Sequence, residues 1–323
     1  MRCKKETKGA NQLTHQNGCS GIHRPISDVA RQRLSHLKFK LPENPEGVAL
    51  WAVENIRFEK LSDSSYNALT ITLANDGEKY VWKDILLPGH SGNSEMAAYR
   101  INELLHMGII PTTEYVEIEE DYLGTATPFI ENAFSPVALA DTWKNNAKKR
   151  QQDREKILRM FSKPEIIQQV ALMIVFDGII NNRDRDRFNW MIVLDDESLI
   201  LIDHGTVNWS PSNTPKNGAE LTYESFVKAL KDDFGLEPPE YEPIVQQLSK
   251  YLLHLPDEWL NKWRAIRDED WSACFDGLMF TEYDMFFRPA KAKNNSWANF
   301  QDILRDGGLA NQIGALAAAC ASC

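Results

Sequence analysis

Asp184, Asn189 and Asp203 lie within one stretch, Asn182 to Gly205 (NRDRDRFNWMIVLDDESLILIDHG), and together form the polar set that phosphoryl transfer requires. Two short apolar runs, residues 190–194 and 199–202, flank Asp195-Asp196-Glu197-Ser198, so the spacing predicts a β-hairpin with a polar turn. Folding the chain back at that turn is expected to set Asn189 opposite Asp203 at the open end. Directly opposed residues of an antiparallel pair have Cα atoms about 4.5–5.5 Å apart, so an amide oxygen and a carboxylate there can share one hard cation. Mg²⁺ takes such ligands and fills its octahedron with water and phosphate oxygens. Asp184, five residues before Asn189, is placed to receive the proton of an attacking hydroxyl.

Further upstream, Gly77-Glu78-Lys79-Tyr80-Val81-Trp82-Lys83-Asp84-Ile85 reads as a turn followed by a strand. The Lys83 ammonium can neutralise nucleotide phosphates there, although a strand lysine on its own is more often a solvated charge. Glu95 follows in the first turn of a helix marked by Met96, Ala97, Ile101, Leu104 and Leu105, where it can reach back to Lys83. The plainer reading is that the helix dipole favours an acid in that turn, with Ser94 as the cap.

The spacing Asp184-Arg185-…-Asn189 followed by Ile202-Asp203-His204-Gly205 resembles the catalytic and metal-binding segments of the HipA-like and phosphatidylinositol-kinase-like branch of the protein kinase superfamily. The run Glu95-Met96-Ala97-Ala98-Tyr99 with the later Gly108-Ile109-Ile110-Pro111-Thr112 is similar to a segment between helix and strand in HipA-like kinases. The resemblance implies an α+β, two-lobed protein-kinase-like fold with a small antiparallel-sheet N-lobe and a mostly helical C-lobe. It also implies ATP and Mg²⁺ as cofactors. Asp184 is then the catalytic acid–base residue, Asn189 and Asp203 the metal ligands, and Lys83, positioned by Glu95, the phosphate grip. A protein Ser/Thr hydroxyl is the leading acceptor class, with a small-molecule or lipid hydroxyl as runner-up and a nucleotide-binding pseudokinase as the non-enzymatic alternative.

Two departures bear on that reading. The loop Leu61-Ser62-Asp63-Ser64-Ser65-Tyr66-Asn67, between strands expected at about 53–60 and 68–74, contains no glycine. Ser62, Ser64 and Ser65 can approach phosphates through hydroxyls and backbone N–H groups, yet serine-rich turns are commonly only turns. Asp186 stands where protein kinases usually carry a lysine against the transferred phosphate, and an acid there repels phosphate unless Arg185 or Arg187 compensates. His204 reads as either a phosphate or metal contact or a residue that positions the turn. Phe129-Ile130-Glu131 is a connector whose backbone can meet an adenine ring, or an ordinary loop before the second lobe.

The elements that must position these groups divide the chain into a polar extension at 1–46 with a short helix near Asp28–Leu37, an N-lobe at 47–132, a C-lobe at 133–305 and a tail at 306–323. Further strands are expected at Tyr115–Glu119 and Leu123–Thr127. A charged stretch, Lys144–Glu155, is helix or loop. From Ser162-Lys163-Pro164-Glu165 a helix runs to about Ile180, apolar nearly all round, and so belongs in the C-lobe core, where it delivers the catalytic loop. The polar loop after Gly205 is where a substrate-binding segment sits. Helical patterns follow at Tyr223–Phe234, Tyr241–Leu253 and Pro256–Ile266, and Trp259, Trp263 and Trp271 read as packing residues.

At 323 residues and 43% hydrophobic content the chain can bury one large core or two lobes. A net charge of −10 argues against general nucleic-acid or anionic-membrane binding. The longest apolar stretch, Val170 to Phe176, is too short to cross a bilayer. Five cysteines, mostly in the tails, show neither a disulfide framework nor zinc-ligand spacing, which fits a reducing cytoplasm. The terminal Cys320-Ala321-Ser322-Cys323 has only a passing likeness to a prenylation box.

Overall fold

The computed structural model describes residues 22–24, 39–40, 48–51, 56–60, 69–73, 77–85, 91–118, 122–144, 146–207, 209, 217–278, 280–281 and 287–313. The expected helix near Asp28–Leu37, the serine loop with Ser62, Ser64 and Ser65, and the terminal cysteines lie outside them.

Within the described residues the chain has the expected α+β plan of a small sheet lobe and a mostly helical lobe. Strands β1 (Ile22–Arg24), β3 (Val48–Trp51), β4 (Ile56–Lys60), β5 (Leu69–Leu73), β6 (Lys79–Asp84), β7 (Glu114–Ile118) and β8 (Tyr122–Pro128) form one sheet in the order β1-β3-β7-β8-β6-β5-β4. Its ladders are antiparallel except for one: β3 runs parallel to β7, pairing Ala49 with Val116. The sheet is thus the small antiparallel one expected, and its one parallel strand comes from residues ahead of the expected 53–60 strand. The 1–46 extension contributes β1 and also β2 (Phe39–Lys40), which pairs with β12 (Phe280–Thr281) of the helical lobe.

The pleat of β6 decides what Lys83 faces. Tyr80 and Trp82 point to one side, where Ile71, Val116, Ile118 and Ala126 bury them in a small cluster of their own. Ile85 packs on the other side among Met96, Ala97 and Ile101 of α1 (Gly92–Leu104), within the main core. Period-2 alternation puts Lys83 on the Ile85 side, toward α1. The helix is capped by Ser91, whose Oγ accepts from the Ser94 N–H, rather than by Ser94. Tyr115 on β7 holds it to the sheet through a 2.5 Å bond from its hydroxyl to Asn93 Oδ1.

β9 (Ala133–Phe134) leaves the connector and joins the hairpin of β10 (Trp190–Val193) and β11 (Ser198–Leu201) as its third strand. Between them run α2 (Pro136–Thr142), α3 (Ala147–Phe161) and α4 (Pro164–Ile180). The charged stretch over 144–155 is helical from Ala147 onward, and that helix continues to Phe161. α4 carries Pro at its first turn without a side-chain cap and is buried along almost its whole length, as its composition demands. It stops at Asn181, whose left-handed φ of 50° ends the helix, and the loop bearing Asp184 begins there. α5 (Gly218–Lys228), a π-helical turn (Ala229–Asp233), α6 (Pro238–Leu253), α7 (Asp257–Trp263), α8 (Asp268–Ala273) and α9 (Pro289–Asp306) complete the lobe. Trp259, Trp263, Trp271 and Trp297 associate with one another and with Phe300, so the tryptophans are packing residues.

Candidate active site

Three distant segments meet at one ammonium. Lys83 Nζ on β6 lies 2.9 Å from Glu95 Oε1 on α1 and 2.9 Å from Asp203 Oδ1 after β11. Burial alone would lower the lysine's pKa, but the two carboxylates outweigh it and hold it raised, so the group is a fixed cation at any working pH. The other oxygen of Glu95, Oε2, accepts from the His204 N–H at 3.1 Å. One carboxylate therefore ties the strand lysine to the segment that carries Asp203.

That segment is fastened to α1 at several further points. The Ser91 N–H donates to the Gly205 carbonyl at 2.8 Å, and Ser94 Oγ donates to the His204 carbonyl at 2.5 Å. Trp209, fully enclosed by Phe275 and Phe287, donates its indole N–H to Ser94 Oγ at 2.8 Å. Asp203 itself adopts a left-handed φ of 60°, a conformation short polar side chains tolerate better than most. Backbone strain of this kind collects where a side chain must be aimed.

The hairpin differs from expectation by one residue. Trp190 pairs with Leu201, and the Ile202 N–H donates to the Asn189 carbonyl at 3.2 Å, so Asn189 faces Ile202 and Asp203 lies one step beyond. The turn falls at 194–197, with β11 starting at Ser198. Asn189 and Asp203 still flank the same end of the hairpin. The Asn189 Nδ2 donates to the Asp184 carbonyl at 2.7 Å, which fixes the amide nitrogen and leaves Oδ1 as the ligand-type atom.

Asp184 is only partly covered at the loop tip but held at its backbone, since its N–H donates to Asn182 Oδ1 at 3.1 Å. Its Oδ2 accepts from Thr206 Oγ1 at 2.6 Å. Partial burial raises its pKa and the neighbouring Asp203 and Asp186 add to that, while the Thr206 hydroxyl and Arg185 oppose.

The two arginines weighed as a counter-charge for Asp186 pair with other acids. Arg185 is buried: Nε donates to Asp177 Oδ2 at 2.9 Å and Nη2 to Asp177 Oδ1 at 3.2 Å. Its Nη1 donates to the carbonyls of Ile202, at 2.7 Å, and Asn189. Arg187 pairs with Asp233 in the π-helical turn. Asp186 is spent on the loop itself, accepting from the Phe188 N–H at 2.7 Å in an Asx-type turn. Phe188 is left 56% exposed beside the loop tip, an unusual display for a large aromatic.

His204 resolves toward the positioning reading. It is fully enclosed, edge-on to Phe176, with Nε2 2.8 Å from Arg185 Nη2 and Nδ1 3.5 Å from Glu95 Oε2. Burial, with the Arg185 charge adding to it, lowers its pKa and keeps it neutral. Because Arg185 can only donate, Nε2 must accept and Nδ1 carries the proton toward Glu95. Asp177 was not singled out from the sequence, although an acid inside an apolar helix eight residues before an arginine is the signal that finds it. It also accepts from Asn182 Nδ2 at 3.0 Å and from Thr222 Oγ1 at 2.8 Å.

Of the connector, Phe129 is half exposed and its N–H donates to the Lys79 carbonyl at 2.8 Å. Ile130 is partly buried and Glu131 exposed, with a long ion pair to Lys79 at 3.7 Å. Lys83, Glu95 and Asp203 thus meet directly, and Asp184, bonded to Asn189 through its carbonyl, lies close enough to Asp203 to feel its charge; Phe129, Ile130 and Glu131 directly follow β8, whose Thr125 pairs with Lys83.

The donor set suits a hard divalent cation. Asp203 and Asn189 offer oxygen ligands and both are partly open to solvent. Among the described residues no group of three His, Cys, Asp or Glu side chains is placed to hold a metal. A cation held by these two side chains would complete its shell with water or other oxygen ligands.

No protein-family model and no curated protein matches the chain. Among solved structures it is similar to the crystal structure of a Helicobacter pylori proinflammatory kinase, CtkA, at 11% identity and a TM-score of 0.44, over 80% of this chain and 96% of that one. An overlap that loose carries no argument about chemistry. No described helix is long and apolar enough to cross a membrane.

Proposed function

We propose that the protein is an ATP- and Mg²⁺-dependent phosphotransferase acting on a hydroxyl group. The observation that carries this reading is the Lys83 ammonium held between Glu95 and Asp203, at 2.9 Å from each. A fixed cation beside an oxygen-ligand pair, with a carboxylate at the neighbouring loop tip, is what in-line transfer of a γ-phosphoryl group asks of a protein. Lys83 grips the phosphates, Asp203 and Asn189 would hold Mg²⁺, and the metal would neutralise charge developing on the phosphoryl oxygens. Asp184 orients the acceptor hydroxyl and receives its proton. The 129–131 connector is the place for the adenine ring. Catalysis is then mostly positioning, and the bonds from α1 to the 203–209 segment supply it without added groups.

A protein Ser or Thr hydroxyl is the acceptor class assigned first, from the resemblance in the catalytic and metal segments. Label transfer from γ-labelled ATP with Mg²⁺ tests the reading, with the wild type beside Asp184→Ala and Asp203→Ala. Label on protein that disappears in both variants supports a protein kinase. Label only on added small-molecule or lipid alcohols moves the acceptor class and keeps the chemistry. ATP that stabilises the protein without any transfer points to a nucleotide-binding signalling role instead, and ATP that neither binds nor transfers overturns the proposal.

A further inference from the structure

We infer that Thr206 is a positioning residue for the phosphotransfer reaction: its hydroxyl holds one oxygen of Asp184, so that the other faces the acceptor. The inference rests on the phosphotransferase reading of the same site.

The carboxylate needs such a partner. Bonds from the Asp184 N–H to Asn182 and from Asn189 to the Asp184 carbonyl fix its backbone but not its side-chain torsions. An exposed aspartate otherwise turns among its rotamers, and a base that turns is rarely aligned with its proton. The Thr206 Oγ1 donates to Asp184 Oδ2 at 2.6 Å, the length of a charge-assisted hydroxyl bond. Thr206 is itself well held. The Gly205 carbonyl just before it accepts from Ser91, and the buried Val207 and Trp209 anchor the chain after it. A β-branched side chain on a pinned backbone has few rotamers, which makes it a stiff support. Through this bond the helix that carries Glu95 also sets the direction of Asp184, so the phosphate grip and the base are aligned by the same segment.

The test compares Thr206→Val, which keeps the shape and removes the hydroxyl, with Thr206→Ser, which keeps the hydroxyl. Two readouts are taken on each: steady-state transfer and the side-chain torsions of Asp184 from NMR couplings. The expected result for Thr206→Val is a kcat lowered about ten- to a hundredfold with the KM for ATP unchanged, since a misplaced reacting group costs that much. Asp184 then averages over rotamers, whereas Thr206→Ser stays near the wild type in both readouts. A Thr206→Val protein with unaltered kcat and a single Asp184 rotamer overturns the inference, as does a Thr206→Ser protein as impaired as the valine variant. If the wild type transfers no phosphate, the phosphotransferase reading fails by itself, and a catalytic role for Thr206 fails with it. The Asp184 couplings then still show whether the hydroxyl orients that carboxylate.

Discussion

Arg185 and Asp177 are joined by two bonds, Nε to Oδ2 at 2.9 Å and Nη2 to Oδ1 at 3.2 Å, with neither side chain exposed to solvent. The rest of the guanidinium grips the Ile202 and Asn189 carbonyls, one on each side of the hairpin mouth. A buried charge pair of this kind is weak evidence for net stability, because desolvation of both ions offsets their attraction. What it fixes is the spacing between the residue before Asp203 and the backbone of Asn189.

Asp177→Ala removes one half of that pair and strands the guanidinium. The expected loss is about 3–5 kcal/mol of unfolding free energy, read from the urea midpoint. Replacing both residues together with apolar side chains of similar volume is expected to recover much of the stability but no activity, since the carbonyls of Ile202 and Asn189 then lose their common donor. Recovery of activity in the double variant would show that the clamp does not serve the site.

Glu95→Gln is expected to lower transfer by roughly 10²-fold, the scale of removing one fixed electrostatic partner from such a site. The amide keeps the volume but supplies less attraction to Lys83 and a weaker acceptor for the His204 N–H. A turnover number within threefold of wild type would mean that Asp203 alone can place the lysine.

Asp203→Asn is expected to abolish the stabilisation that Mg²⁺ and ATP give together. A ligand at a hundred times its Kd adds about 2.7 kcal/mol, seen as a raised Tm in the wild type. Chelating the divalent ion in the wild type should remove the same shift. A variant that still responds to the combination would place the metal elsewhere.

Gly218→Ala tests the floor beneath the loop that carries Asp184. A Cβ there would overlap the Asp177 carbonyl oxygen and lie 2.7 Å from both the nitrogen and the oxygen of the Asn182 backbone. Backbone on both sides cannot yield as a side chain would, so a loss of about 1–3 kcal/mol is expected, as for other overpacked interiors. Activity should fall with it, because the Gly218 N–H donates to Asn181 Oδ1 at 2.7 Å, at the start of the loop.

Cys274 gives a pH dependence of known sign. Burial pushes its thiol up to about 12 from an ordinary value of 9.0. The folded protein therefore holds the proton more tightly than the unfolded chain, and this contribution to stability is complete below about 9 and lost as the pH rises toward about 12. At pH 8 the native thiol should resist alkylation while the denatured chain reacts, as mass spectrometry of the Cys274 peptide would show. Rapid labelling of the folded protein would contradict the burial.

The chain order of the chemical groups was legible in the sequence because local rules write it. A glycine turn followed by a strand-like run marked the strand around Lys83, helical spacing placed Glu95 in a first turn, and two apolar runs about a polar turn gave the Asn189–Asp203 hairpin. The nearly all-apolar α4 announced its own burial. Errors fell where two patterns compete. Ser91 and Ser94 are equally good caps by type; Ser91 takes the cap, and the Ser94 hydroxyl is instead engaged by the His204 carbonyl and the Trp209 indole. A hairpin turn shifted by one residue changes the facing partner, and residue type does not settle that register.

By itself, then, the sequence determined which residues could do chemistry and on which local elements they lie, since propensity and periodicity act over a few residues. Tertiary structure alone decided how charge and direction are shared among them. The sequence left Arg185 and Arg187 open to solvent and phosphate, but burial turned one to Asp177 and an ion pair drew the other to Asp233. A charge in the interior must find its partner across the fold, whatever lies beside it in the chain. Segments 120 residues apart in sequence meet at the Lys83 ammonium for the same reason.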